Sequence, residues 1–206
     1  MMDLSFFIAF VIFSFVMSGT PGPNNIMLLA SGAQFGFRRT LPHMLGIGIG
    51  MAVLISSALL GLGALFSLYP PLYLVLKWVG GAYLVWLAWK IASAPVSQKM
   101  NNASEESEES KPMAWWQAAL FQFVNPKAWM MAISAVSTFT IEGDLYLQSG
   151  LWILLVFACV NFPTISLWAW LGVSIRRWLT DAKRQRVFNL IMGTATALTL
   201  MMIVRG

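Results

Sequence analysis

The chain has 206 residues, 58% of them hydrophobic and only 10% charged, with a mean hydropathy of +0.72 and a net charge of +5. An ordinary globular domain carries roughly twice that charged share, so composition excludes a soluble domain and points to an all-α integral membrane protein. The basic balance does not mark a nucleic-acid partner, because most Lys and Arg residues fall in short stretches between apolar runs; the one cysteine, Cys159, excludes an intramolecular disulfide and a cysteine metal cluster.

At about 20 residues per crossing there is room for roughly six membrane helices. The first apolar run spans Leu4 to Gln34. Its start lacks the basic leader of a signal peptide and the run is too long for one, so it is expected to be a retained crossing. Thr20-Pro21-Gly22-Pro23-Asn24-Asn25 interrupts it about two-thirds of the way along. In lipid a freed backbone group finds no water, so a broken helix persists only where protein or a solvated cavity satisfies it. The second and third spans are expected over His43 to Phe66 and Pro71 to Ile91.

Ser93 to Pro112 is rich in Ser, Asn, Glu and Lys, with an acidic run at 105–109, and is expected to be a disordered cytoplasmic linker. It separates a first three-helix unit, 1–92, from a second, 113–206. The fourth span is expected over Trp115 to Thr140, interrupted at Asn125-Pro126-Lys127; the fifth over Leu147 to Ser174; and the sixth over Phe188 to Val204.

Ten of the 13 basic residues fall in the connections after spans one, three and five. By the positive-inside rule these connections face the cytoplasm, both termini face outward, and Trp86, Trp89, Trp115, Trp116 and Trp178 gather at the cytoplasmic interface. Lys77, in the third span, snorkels to the opposite interface.

Three spans per half is an odd number, so duplicate halves would be inverted repeats. The two breaks agree with this. At 1.5 Å per residue the first lies roughly 22 Å from one face and the second roughly 15 Å from the other, both within a core about 30 Å thick. A proline-interrupted first helix in each half points to a transporter site at the repeat interface.

The residue types suit a small zwitterion. The half-helix beginning near Asn24 offers unpaired N–H groups and a positive dipole end to a carboxylate. Carbonyls freed between Gly19 and Gly22 suit an ammonium group, and Asn24, Asn25 and Asn125 both donate and accept. Lys127, the one charge deep in a predicted span, either meets the substrate carboxylate or caps the freed carbonyls. The expected binding set is therefore Pro21, Gly22, Pro23, Asn24, Asn25, Asn125, Pro126 and Lys127. Gly46 and Gly50 either pack helices closely or line a path, and Pro163, in Asn161-Phe162-Pro163-Thr164, makes a softer kink that either borders the cavity or does not. His43 is expected at the cytoplasmic mouth of span two. No catalytic residues, metal or cofactor are expected, since the spans offer no buried His, Asp or Glu to pair with a nucleophile.

Thr20-Pro21-Gly22-Pro23-Asn24-Asn25, Gly36-Phe37-Arg38, Gly46-Ile47-Gly48-Ile49-Gly50, the run from Gly80 to Lys90 and Asn125-Pro126-Lys127 together resemble the LysE/RhtB family of amino-acid exporters. The resemblance covers nearly the whole chain. It implies six inner-membrane spans in inverted three-helix repeats and export of amino acids or their derivatives on the proton gradient. Many members carry an aspartate after the second-span glycines, where this chain has Met51. Members lacking it include the cysteine and O-acetylserine exporters, which the segments Ala135 to Phe139 and Trp86 to Ile91 also resemble. The expectation is thus a bacterial inner-membrane, multi-pass exporter of small neutral amino acids. Its partners would be a small-molecule amino acid and membrane lipid, with a homo-oligomer left open. No Asp or Glu lies inside any predicted span, so the resemblance names no proton-carrying group. The alternative is a channel or transporter for another small polar solute or ion.

Overall fold

The computed structural model describes residues 4–94 and 111–205, and all its regular structure is helical among the described residues. Most of the linker expected over 93–112, with its acidic run, lies outside the described residues. Helices α1 (Leu4–Gly19) and α2 (Pro23–Phe35) form the first apolar run and meet at 60°. Pro23 opens α2, a position where its missing N–H breaks no helical bond.

Gly36, at φ 81, turns the chain directly into α3 (Phe37–Leu59). This second element begins earlier and ends earlier than the expected span His43 to Phe66. Gly61, at φ 90, takes a left-handed conformation that ends it, and Leu62–Leu68 form a separate short helix, α4. Helix α5 (Pro70–Ala92) matches expectation closely. The fourth run is divided by Asn125 into α6 (Trp115–Val124) and α7 (Pro126–Phe139). A 3-10 turn at Gly143–Leu145 leads into α8 (Tyr146–Arg176), which continues through Pro163 as one helix, and α9 covers Ala182–Arg205.

Among the described residues, α3, α5 and α8 with its leading turn are long and apolar enough to cross a membrane, and α1 with α2 makes a fourth candidate as a bent pair. The polarity is inverted relative to a soluble protein. Trp78, Trp89, Trp178, Leu72 and Leu147 stand at the surface, while Asn25, Gln122, Asn125, Asn161 and Thr196 are buried. A lipid environment explains both halves of that pattern, since backbone and side-chain polar groups must there be satisfied inside the protein.

The broadest helix contacts are α2 on α8, α5 on α9 and α3 on α6. Each is made possible by glycine. Gly32 lies on the Ala169 carbonyl and Gly172 on the Leu29 carbonyl, while Gly46 and Gly50 lie on the Trp115 and Ala119 carbonyls. Gly193 meets the Ala88 carbonyl in the same way. Without side chains between them, the backbones close to a distance that no other residue permits. Phe10, Leu28, Met44, Leu54, Trp129, Phe139 and Phe157 belong to the principal core joining these elements.

The connections after α2, α5 and α8 collect at one end of the molecule. Arg176 lies against Gly36, and Arg186 donates to the Ala92 carbonyl at 3.4 Å. Asn189 accepts from Gln34 at 3.3 Å and donates to the Ala94 carbonyl at 3.2 Å. The opposite end is closed by the Tyr146 hydroxyl, which donates to the Leu59 carbonyl at 2.8 Å.

Gly32→Ala and Gly172→Ala each force a methyl group into a carbonyl oxygen, and each is expected to destabilise the protein by about 1–3 kcal/mol. Thermal unfolding in detergent measures this, with Gly48→Ala, which meets nothing within 4 Å, expected to match the wild type.

Candidate functional site

The two breaks lie side by side. Three kinds of group satisfy the carbonyls released at the end of α1. The Asn25 amide donates to both Ser18 O and Thr20 O at 2.8 Å, the Trp168 indole donates to Gly19 O at 3.2 Å, and Lys127 Nζ donates to Thr20 O at 2.7 Å and to Thr20 Oγ1 at 2.9 Å. Lys127 therefore reaches from the second break to the first, and its presence there depends on Gly22. A Cβ at position 22 would stand 2.9 Å from Lys127 Cδ.

A second link is reciprocal. Asn24 Nδ2 donates to Gln122 Oε1 at 2.8 Å, and Gln122 Nε2 donates to Asn24 Oδ1 at 3.1 Å and to the Ala118 carbonyl at 2.9 Å. At the second break Asn125 caps α7, its Oδ1 accepting from the Lys127 backbone at 3.2 Å, and the Trp129 indole donates to the Phe123 carbonyl at 2.9 Å.

The two half-helix starts differ in one respect that matters. Helix α7 has its side-chain cap in Asn125, whereas α2 begins at Gly22 with no side-chain cap. The N-terminal amides of α2 thus keep their donor capacity and a positive dipole end, and they adjoin a cavity.

Met17, Ser18, Gly22, Pro23, Asn24 and Asn25 border that cavity from the first break, and Asn125, Lys127 and Met131 from the second. Ile47 and Met51 of α3 and Asn161 and Ile165 of α8 complete it. Its volume is about 20 Å³, room for roughly one water molecule. Ser18 Oγ is buried without a hydrogen-bond partner, as is Ser14 Oγ one turn earlier on α1. The wall formed by Met17, Met51 and Met131 is neutral, flexible and polarisable.

Of the expected binding residues, Gly22, Pro23, Asn24, Asn25, Asn125 and Lys127 converge here. Pro21 and Pro126 shape the breaks without lining the cavity: Pro21 is exposed, and Pro126 packs toward Gly80. Of the two readings open for Lys127, the geometry gives the cap on a freed carbonyl. Met51 lines the cavity, Gly46 and Gly50 pack α3 on α6, and Pro163 faces outward while Asn161, two residues earlier, faces in. His43 is buried inside α3, and among the described residues both its ring nitrogens are unpartnered.

Gln122 and Ser18 escaped the sequence reading. Each is a lone polar residue one turn before a proline break, and that placement was the available signal. Met17, Ile47, Met131 and Ile165 carry no mark that separates a cavity wall from ordinary core.

Apolar helices on the outside and a polar cavity between two broken helices define a multi-pass membrane transporter. The model of the family described as LysE type translocator matches residues 15–203, and the chain belongs to that family. It is 33% identical over 188 residues to the cysteine/O-acetylserine efflux protein of Salmonella choleraesuis, covering 90% of each chain. It is 32% identical over the same length and share to the protein of that name in Escherichia coli K12. No solved structure matches the chain.

Asn24→Ala or Gln122→Ala leaves the other amide without its partner at the join of the two breaks, at an expected cost of about 1–3 kcal/mol. The double variant is expected to lose less than the two single losses combined, which a double-mutant cycle on detergent-solubilised protein measures.

Proposed function

We propose that the protein exports small neutral amino acids or their derivatives, such as cysteine and O-acetylserine, across the bacterial inner membrane. The observation that carries this reading is the uncapped start of α2, set beside Lys127 and facing a neutral methionine wall. A carboxylate is stabilised by the free amides and dipole of α2. An ammonium group is suited to the Thr20 carbonyl. Asn125, Asn161 and the Ser18 hydroxyl supply further hydrogen bonds that orient the molecule. Met51, with Met17 and Met131, offers a side chain no negative charge, which favours a small neutral substituent over a lysine or arginine side chain. The names of the relatives agree with that selection.

In this reading six crossings form two inverted three-helix repeats, 1–92 and 113–206, joined by a cytoplasmic linker, with both termini outside. The packing supports it. Helix α6 lies on the N-terminal half of α3 and α1 lies on α8, the relation that inversion of one half onto the other requires. The grouping of Arg38, Arg176, Arg184 and Arg186 at a single end supports a cytoplasmic face there. Transport follows by alternating access about the two breaks, driven by the proton gradient.

Asn125→Ala and Lys127→Ala are each expected to abolish net efflux while the protein still reaches the membrane. Extracellular cysteine and O-acetylserine, measured in cells with and without each variant, check this, with membrane abundance followed in parallel. Full efflux by both variants sinks the site assignment.

A further inference from the structure

We propose that Lys127 is a tethered competitor of the substrate. Its ammonium fills, in the unloaded protein, the seat that the substrate's own ammonium takes, and it vacates that seat as a neutral amine when substrate enters. The proposal rests on reading the cavity as a zwitterion site and names the group that couples that site to protons.

The geometry is specific. Carbonyls freed by a broken helix are the natural seat for a cation, yet here the available one is occupied. Lys127 Nζ makes two hydrogen bonds to Thr20, to the carbonyl at 2.7 Å and the hydroxyl at 2.9 Å. The aliphatic stem lies along Gly22, at the start of the helix whose amides are uncapped. An amino acid lying with its carboxylate on those amides would bring its α-ammonium to the same carbonyl. The seat holds one cation: two ammonium groups on one oxygen repel at close range. The cavity, at about 20 Å³, has room for about one water molecule, so side chains lining it, Lys127 among them, must move before an amino acid enters.

Charge closes the argument. The described cavity residues come from α1, α2, α3, α7 and α8 and from Asn125 at the second break, and Lys127 is the only titratable side chain among them. His43 of α3 is buried away from this lining. Among the described residues, no carboxylate lines the cavity to balance a second positive charge. A zwitterion beside a protonated Lys127 would leave an unbalanced net charge in the cavity, whereas a zwitterion beside the free amine leaves none. Loading from the cytoplasm therefore expels the Lys127 proton to the cytoplasm. After release outside, the amine takes a proton from the outer side and returns to Thr20. One proton enters for each zwitterion that leaves, and no further reactant is needed.

The full-length protein in vesicles holding a pH-sensitive dye tests this with labelled O-acetylserine and cysteine. Wild type should move protons in step with substrate. Lys127→Met keeps the length of the side chain but not its charge. It should lose proton movement per substrate by about ten-fold or more, while substrate-for-substrate exchange survives at a reduced rate. Lys127→Arg, whose guanidinium keeps its proton, should lose both activities. Proton movement that stays in step with substrate in either variant overturns the proposal.

A second measurement needs no substrate. With Cys159 replaced by Ala, Ser18→Cys places a thiol in the cavity, and a methanethiosulfonate reagent should label it about ten-fold faster when Lys127 is Met than when it is Lys. Equal rates overturn the proposal. If wild type carries neither amino acid, the substrate reading fails by itself, and the labelling rates alone decide whether Lys127 closes the seat.

Discussion

A helix interrupted in a membrane must find hydrogen bonds for the groups it releases, and lipid supplies none. Most of the interior polar structure answers that requirement. Asn25 reaches back over its own break to hold Ser18 O and Thr20 O, and Trp168 arrives from α8 to hold Gly19 O. Trp129 does the same for Phe123 O at the other break. These bonds fix the directions of α1 against α2 and of α6 against α7, and so determine where the remaining helices pack.

The same requirement is met differently at the starts of the two second half-helices, and the difference separates structure from function. Asn125 closes α7 with its own side chain, whereas Gly22 cannot close α2. A lone uncapped helix end would be a weak point in an interior. Beside a cavity, with Lys127 against Gly22, its free amides and positive dipole end suit an anion.

Much of this was legible in the sequence. Proline announces a break with little ambiguity, so both interruptions and the residues around them could be read directly. Long apolar runs gave α5 and α8 nearly to the residue. Elsewhere the sequence was silent for definable reasons. Leu60 to Phe66 continue the hydrophobic pattern of α3, and only the left-handed Gly61 ends the helix; hydropathy does not register a dihedral angle. His43 looked interfacial because it lies near basic residues, yet the helix places its face inward. Which direction Lys127 points is a rotameric fact, and Gln122 becomes part of the site only through Asn24, 98 residues away. Tertiary pairing of that kind has no local signature.

The glycine seams have a mechanical meaning. Where Gly32 and Gly172 let α2 and α8 touch backbone to backbone, and Gly46 and Gly50 do the same for α3 and α6, no side chain is present to repack. Such contacts transmit displacement without absorbing it, so each pair behaves as a stiff plate. The polar bonds meeting near the cavity, between Asn24 and Gln122 and between Lys127 and Thr20, are of another kind. Water or a ligand can replace each of them at small cost. The molecule is therefore most closely packed along its glycine contacts and held across its cavity by bonds that can change partners, the division of labour that a rocking of one helix pair against the other requires.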